Sequence, residues 1–454
     1  MKDVSYLRIE AYSEHPEVLE MADMLIESYL STKARKNPQK YIRPARKLIA
    51  SLWLRDGDMF RFSTKTTHFG EDKRKQVWMT QPVLTLFNHM RKTGLVNEAL
   101  PAIPPEMAQD GIGRSAIYAR SQRFRETLKS LQPTDILPDP DLPRVMLRDA
   151  SNFWVKIDPT TEQSAWFQES VEALDAHSQL LSNAQITLPD GSPMHPNTWL
   201  YIRKFKESFE HTGRLYAPFT TWKKEKRLGI TFDGIEACSL DLSQLHPTLI
   251  LRTQHGLEKE YGLFTGLNVD PYDMPDFFFL PRAVHKTLIN ACFNAKSMDS
   301  AARALINAYW CWDAEDNEYE CTIYKGNRKR DGHKCFPGNQ QEAIKYIQSF
   351  KSRHPQLADA VCSGVGLKLQ KLDSDYMINV IRIANEIQVP VLPVHDEVVF
   401  PETQLEIMKY VLVKAFSWTF GDAGKFGSLT VKVTDSEMVE NRMELDLTHH
   451  TYDD

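Results

Sequence analysis

The sequence predicts an α+β fold, with an antiparallel sheet flanked by helices and a mostly helical N-terminal region. Two apolar, strand-like runs each enclose an acidic position, Asp241 in one and Asp396 in the other. Residues 16–29 and 41–53 have apolar side chains at helical spacing. Four prolines punctuate residues 131–144. Because proline lacks an amide donor and interrupts helices, this stretch is expected to be a linker.

Composition limits the class of protein. A chain of 454 residues is long enough for two or three domains. Its 42% apolar and 25% charged residues are typical of a globular protein. No apolar run reaches the roughly 18 residues that a membrane helix needs, and the first residues lack the apolar core of a signal peptide. Six cysteines do not make a disulfide framework in a chain of this length. A cytoplasmic protein without membrane contact is therefore expected, with a monomer as the default state.

The net charge of −5 hides concentrated basic patches. Residues 32–75 carry 13 Lys or Arg against 4 acids, and residues 203–227 carry 8 against 3. Such patches can bind a polyanion despite a negative sum, although a solvated helix face is an equally good interpretation of each. In the first patch, Arg43, Arg46 and Lys47 are the candidate contacts to DNA phosphates.

The elements follow in order along the chain. Residues 1–130 are expected to form a helical, winged-helix-like DNA-binding region, with strands near 59–66 and 77–80 and a helix over 81–93; an ordinary helical domain is the alternative. After the linker, residues 145–198 contain a hairpin and a long amphipathic helix. Residues 199–454 contain the chemically informative segments, with an insertion at about 265–345.

The two acidic strands predict a metal site. An ionised carboxylate is costly to bury unless it is paired or binds a metal. Mg²⁺ is a hard cation that prefers carboxylate oxygens, with Mn²⁺ as an alternative. Nucleotidyl transfer uses two such ions about 4 Å apart. Asp241 and Asp396, with Glu397 beside the latter, are the candidate ligands, while a surface turn is the alternative for either aspartate alone.

Between the acidic strands, Arg282 and Lys286 stand four residues apart and so share one helix face. Such a pair can grip the β- and γ-phosphates of an incoming nucleotide. Lys286 could also protonate the leaving pyrophosphate. Most pairs of this kind are solvated, so the spacing alone is weak support.

Together these segments resemble bacterial family A DNA polymerases, over about residues 200–445. Asp241-Leu-Ser-Gln244 resembles motif A, whose aspartate binds metal. Arg282 and Lys286 fit motif B, and Asn290 on the same helix is a further candidate substrate contact. His395-Asp396-Glu397 matches motif C.

Two further segments extend the resemblance to the nucleic acid. Thr212-Gly213-Arg214 is similar to the Thr-Gly-Arg that contacts the primer, and Gln370 stands where the family has a glutamine facing the minor groove. The resemblance also implies that His395 contacts nucleic acid.

This sequence departs from the family A pattern at positions that bear on sugar selection and in the length of the fingers. His246 replaces the glutamate that excludes ribose, and Asn294 replaces the aromatic residue expected after motif B. A side chain five residues beyond Asp241 should face the sugar, so His246 is expected to favour deoxynucleotides. Two alternatives stay open: the imidazole could donate a hydrogen bond to the 2′-hydroxyl and so admit ribose, or it could only cap or pack locally. The fingers are abbreviated, and the first 200 residues lack the Asp-x-Glu exonuclease signature.

The resemblance implies a DNA-dependent DNA polymerase that takes a DNA primer-template and nucleoside triphosphates. It would act in replication or repair, including replication of a mobile element. One rival is an RNA-synthesising, primase-like polymerase. The other is an inactive palm that serves as a DNA-binding replication initiator, and the retained Asp241, Asp396, Arg282 and Lys286 argue against it.

Overall fold

The chain divides into two compact units, Met1–Gln168 with His195–Ile202, and Glu169–Met194 with Arg203–Asp454. In the computed structural model, the described residues are 6–33, 37–54, 59–64, 73–74, 78–103, 107, 115–242, 245–247, 249–250, 270–313, 318–323, 332–336, 340–421 and 428–446.

The first unit combines helices with short antiparallel strands. Its helices are α1 (Pro16–Ser31), α2 (Gln39–Leu54), α3 (Gln81–Lys92), α4 (Gln122–Thr127) and α5 (Pro159–Glu162). Its strands are β1 (Ala11–Tyr12), β2 (Met59–Arg61), β3 (Lys73–Arg74), β4 (Val96–Leu100), β5 (Ile117–Arg120), β6 (Leu137–Pro138), β7 (Val145–Arg148) and β8 (Trp154–Val155).

Helices α1, α2 and α3 pack on one another beside the antiparallel sheet β2-β5-β4. Their apolar stripes form one core, in which Leu48, Phe60 and Phe87 are fully buried. Gly94 follows α3 with a φ of +72°, a conformation that glycine adopts without steric cost. The hairpin expected after residue 144 is formed by β7 and β8. A winged-helix role in DNA binding stays a prediction.

Residues 131–144 differ from the expected linker, because they pack within the first unit. β6 pairs with β1 through the register Ala11↔Pro138, and the Asp139 amide donates to the Glu10 carbonyl at 2.8 Å. Asp139 and Leu142 are both buried. Pro133 begins a short 3₁₀ helix, Pro138 lies on the two-stranded edge and Pro140 lies in a turn, all positions where a missing amide donor is tolerated.

Two of the three cations assigned to DNA are engaged by that buried carboxylate. Arg43 Nη2 lies 2.8 Å from Asp139 Oδ1, and Lys47 Nζ pairs with Oδ2. Burial works to raise the pKa of Asp139, but the hydrogen bonds from Lys47 and Arg43 outweigh it and hold the pKa below its usual value. Arg46 contacts the Tyr12 hydroxyl at 3.1 Å. DNA binding by these side chains stays a prediction.

Lys47→Ala should destabilise the first unit by about 3 kcal/mol, because it leaves the buried Asp139 without one of its two cations. Lys40→Ala, at an exposed position of the same helix, is the matched control and should cost less than about 1 kcal/mol. Urea unfolding measures both, and equal losses in the two variants would remove the structural role of Lys47.

The second unit carries the acidic strands. Its helices are α6 (Ala165–Asn183), whose first residues belong to the first unit, α7 (Lys224–Leu228), α8 (Arg282–Asn294), α9 (Met298–Leu305), α10 (Gln340–Arg353), α11 (Gly366–Glu386) and α12 (Leu405–Phe420). Its strands are β9 (Ile186–Thr187), β10 (Ile202–Lys206), β11 (Ser208–Tyr216), β12 (Thr231–Phe232), β13 (Ile235–Leu242), β14 (Ala308–Asp313), β15 (Glu318–Ile323), β16 (His333–Lys334), β17 (Leu392–Val394), β18 (Glu397–Pro401), β19 (Ser428–Thr434) and β20 (Glu440–Asp446).

The main sheet of this unit is antiparallel and is built around β13. Its described strands run in the order β17-β18-β13-β12-β9, and β19 pairs with both β13 and β20. Helix α11 packs on β11 and on α12. This is a mixed α+β architecture with antiparallel sheets, as the sequence predicts. Among the described residues, no helix is long and apolar enough to cross a membrane.

Candidate active site

The pairing of β13 with β18 brings the two acidic segments together. Asp241 lies opposite Glu397 in the register, and the Leu242 amide donates to the Asp396 carbonyl at 3.1 Å. Opposite residues of an antiparallel pair project from the same face of the sheet. β17 and β18 pair up to Val394↔Glu397, which leaves His395 and Asp396 as a two-residue turn. His395 has a φ of +59°, as the first position of a type II′ turn requires.

The carboxylates of Asp241 and Asp396 repel each other. Burial, and after it the charge of Asp396, raises the pKa of Asp241 to about 7. Lys286 and Lys432 oppose this rise, and Glu397 adds to it. Lys432 lies opposite Asp241 on β19 and pairs with Glu440 at 2.9 Å. A divalent cation between Asp241 and Asp396 would relieve their repulsion.

The donor set fits a magnesium ion that keeps part of its water shell. Mg²⁺ is commonly held by one or two carboxylates, with phosphates and water completing the octahedron. In the part of the chain that the structure describes, no group of three or more His, Cys, Asp or Glu is arranged to hold a metal. Glu397 Oε2 accepts from Arg227 Nη2 at 2.5 Å, so this carboxylate is already paired. The residues therefore fit a two-aspartate site, and a metal role for Glu397 stays a prediction.

This arrangement predicts an unusual pH dependence of stability. The folded protein binds the Asp241 proton up to a pKa of about 7, whereas an ordinary aspartate releases it near 3.8. Without metal, stability should therefore fall as pH rises from about 4 to about 7, by about 2 kcal/mol after partial exposure is discounted. Mg²⁺ should restore the loss above pH 7.

Thermal unfolding of the wild type and of Asp241→Asn across this pH range isolates the contribution of Asp241. The difference between the two Tm profiles should change with pH, and Mg²⁺ should flatten it. Parallel profiles, with and without Mg²⁺, would contradict the raised pKa.

Helix α8 presents Lys286 to the acidic pair. Lys286 is exposed, and its charge is felt at Asp241. Arg282, one turn earlier, pairs with Asp270 and lies over the Tyr272 ring at 5.2 Å. Tyr272 is buried, and burial together with the charge of Asp396 raises its pKa. A cationic helix face therefore stands beside the two aspartates.

A second cluster joins residues that are distant in sequence. Arg214 on β11 donates to the buried Asp373 Oδ2 through Nε at 3.1 Å and Nη2 at 2.9 Å. Arg214 Nη2 also lies 3.3 Å from His246 Nε2. Gln370 is one helical turn before Asp373 on α11. Burial is the main cause of the lowered pKa of His395. The charges of Arg214, Asp373 and Asp396 also act on this pKa.

The remaining predicted residues have these positions. Asn294 Nδ2 donates to the Asn290 carbonyl at 2.8 Å. The Asn294 Oδ1 would lie only 2.3 Å from a Cβ at Gly366, so a larger residue there would force the Asn294 side chain to move. Gln244 lies outside the described residues. Arg43, Arg46 and Lys47 belong to the first unit.

Sequence reasoning missed three side chains of the site. Arg227 pairs with Glu397, Asp373 binds Arg214, which also contacts His246, and Tyr272 packs beneath Arg282. Asp373 had one detectable signal, because it is an acid within the apolar stripe of a long helix, where an unpaired charge would be costly.

Comparison with known proteins finds a distant structural likeness. No protein-family model matches the chain, and no curated protein sequence matches it. Among solved structures, the POL domain of Pol1 from M. smegmatis, in complex with DNA primer-template and dNTP, aligns with a TM-score of 0.31 and 12% sequence identity. The alignment covers 63% of this chain and 53% of that chain, so this chain spans about half the length of that structure. A likeness at this level carries no argument about activity, which has to come from the site itself.

Proposed function

We propose that the chain is a template-directed nucleotidyltransferase of the family A type, acting as a DNA-dependent DNA polymerase. One observation carries the proposal: Asp241 and Asp396 lie at adjoining strand ends, and their repulsion contributes to raising the pKa of Asp241 to about 7. Paired carboxylates with a strongly perturbed pKa are typical of functional sites. Strands β13, β18 and β19 would form the palm, and α8 the abbreviated fingers.

Asp241 and Asp396 would hold the catalytic Mg²⁺. When bound, Mg²⁺ supplies Lewis-acid stabilisation of the transferring phosphoryl group and activates the attacking primer hydroxyl. Strand pairing fixes the backbone of Asp241 on both sides, and the Leu242 amide holds the Asp396 carbonyl in the adjoining turn, so both carboxylates are positioned for this chemistry. Arg227 pairs with Glu397 at 2.5 Å and partly compensates the charge that this carboxylate places beside Asp241.

Helix α8 would bind the triphosphate. Lys286 is exposed and faces the acidic pair, so it can contact a phosphate there and protonate the departing pyrophosphate. Arg282 would exchange Asp270 for a phosphate oxygen, since the guanidinium fork fits either anion.

The opposite side of the site would hold the primer terminus. Arg214 binds Asp373, Gln370 lies one helical turn before Asp373, and His395 lies edge-on to the exposed Tyr216 ring at 6.1 Å. These groups offer donors to base edges and one aromatic surface beside the metal aspartates.

A primer-extension assay with Mg²⁺ tests the proposal and separates it from its rivals. Deoxynucleotides and ribonucleotides are supplied separately, with and without a primer. A DNA polymerase extends only with primer and favours deoxynucleotides. Synthesis without primer from ribonucleotides would indicate the primase-like rival. DNA binding with no incorporation in Mg²⁺ or Mn²⁺ would indicate the initiator rival and reject the proposal.

A further inference from the structure

The buried carboxylate of Asp373 is bound in an unusual, one-sided way. Its side chain is 1% exposed, and Arg214 directs both Nε and Nη2 to a single oxygen, Oδ2. The other oxygen, Oδ1, is buried and has no hydrogen-bond partner among the described residues. A buried acceptor without a hydrogen bond lowers the stability of the fold, so its retention points to a role other than stability.

A second Arg–Asp pair, whose aspartate also lies on α11, shows a purely structural arrangement. Buried Arg203 pairs with Asp375, and its Nε donates to the Gly213 carbonyl and to Ser374 Oγ, both at 3.1 Å. Its Nη1 donates to Ser170 Oγ at 2.9 Å. This network is well satisfied and contacts none of the predicted site residues except through Gly213, the neighbour of Arg214.

The Arg214–Asp373 pair differs because it reaches His246. His246 Nε2 lies 3.3 Å from Arg214 Nη2 and 3.9 Å from Asp373 Oδ2. A guanidinium can only donate, so the nearer contact makes Nε2 an acceptor. In a neutral imidazole the proton then resides on Nδ1, and the ring presents an N–H donor from that side.

We propose that Asp373 is a positioning residue that, through Arg214, fixes the Nδ1–H tautomer and the ring orientation of His246, and thereby sets the choice of nucleotide sugar. The proposal rests on the proposed function for its sugar-selection part. Asp373 would not touch the nucleotide itself. It holds Arg214 in the pose that donates to His246, and removal of its charge frees both side chains.

The tautomer can be measured without any assumption about activity. Protein labelled with ¹⁵N-histidine, with His246 assigned through His246→Gln, should show a protonated Nδ1 and an unprotonated Nε2 in the wild type. Asp373→Asn should change the tautomer population, whereas Asp375→Asn, the matched control on the same helix, should leave it unchanged. A wild-type ring protonated on Nε2, or identical spectra in wild type and Asp373→Asn, would overturn the proposal.

Sugar selection is the second readout. The kcat/KM for ribonucleotides relative to deoxynucleotides should rise about tenfold in His246→Ala and several-fold in Asp373→Asn. If Asp373 acts through His246, adding Asp373→Asn to His246→Ala should change the ratio no further. Additive effects would overturn the positioning role. Asp373→Glu, which keeps the charge, should retain most of the wild-type ratio even if Asp373→Asn folds poorly.

The two readouts separate the inference from the proposed function. A wild type with the expected tautomer that incorporates no nucleotide would reject the polymerase and, with it, the sugar-selection part. An active polymerase whose His246 tautomer ignores Asp373 would reject only the positioning role.

Discussion

Asp241→Asn protein is expected to incorporate nucleotide about 10³-fold more slowly than the wild type while it keeps its fold, a loss of roughly 4 kcal/mol of transition-state stabilisation. Asparagine has nearly the shape of aspartate but lacks the charge that a hard cation requires. Asp396→Asn should behave in the same way, because its carboxylate shares the site. Single-turnover primer extension measures the rate.

Stability distinguishes this loss from damage to the fold. Asp241 is repelled by Asp396, so Asp241→Asn should unfold at an equal or higher temperature than the metal-free wild type above pH 7. Asp299→Asn, at an exposed acid on α9 that pairs with Arg303, is the matched control and should retain activity. Near wild-type extension by Asp241→Asn would show that the acidic strands are not a metal site.

Lys286→Ala should lower kcat/KM for the incoming nucleotide about 10²-fold, with little change in affinity for DNA. Lys286 is exposed on α8 and its charge reaches Asp241, so its loss should weaken triphosphate binding and slow the departure of pyrophosphate. Steady-state kinetics give the first quantity, and fluorescence anisotropy with labelled primer-template gives the second.

Lys345→Ala is the matched control for this lysine, because Lys345 is exposed on the neighbouring helix α10. Its kinetics should match the wild type. If Lys286→Ala instead lost DNA binding and kept its nucleotide KM, α8 would lie on the template side and the fingers assignment would be wrong.

The local parts of this architecture could be predicted from sequence because their signals are local. The strand around Asp241 is an apolar run, and the turn at His395 and Asp396 separates two short apolar runs. The prediction that Arg282 and Lys286 share one helix face is confirmed, because α8 is one uninterrupted helix from Arg282 to Asn294.

The contacts between distant segments could not be predicted in this way. Arg214 and Asp373 are 159 residues apart, and neither the composition nor the periodicity of either segment reports on the other. The same limit applied to Lys47, 92 residues from Asp139. Lys47 lies within a basic patch of the sequence, yet in the structure its ammonium group pairs with the buried carboxylate of Asp139.

Residues 131–144 show how a correct local rule can give a different outcome. Prolines do interrupt helices there, but a short β6 strand and a buried Asp139 tie the segment to β1 and α2. Proline density indicates irregular backbone, and only tertiary contacts decide whether that backbone is a linker or part of a core.

Single-nucleotide incorporation on four primer-templates that differ only in the first template base shows whether this chain copies a template. With Mg²⁺, the wild type should add the complementary deoxynucleotide on each template far faster than the other three, and Asp396→Asn should add none at a measurable rate. Addition that ignores the template base, or equal addition by wild type and Asp396→Asn, would contradict the assignment of this chain as a template-directed nucleotidyltransferase.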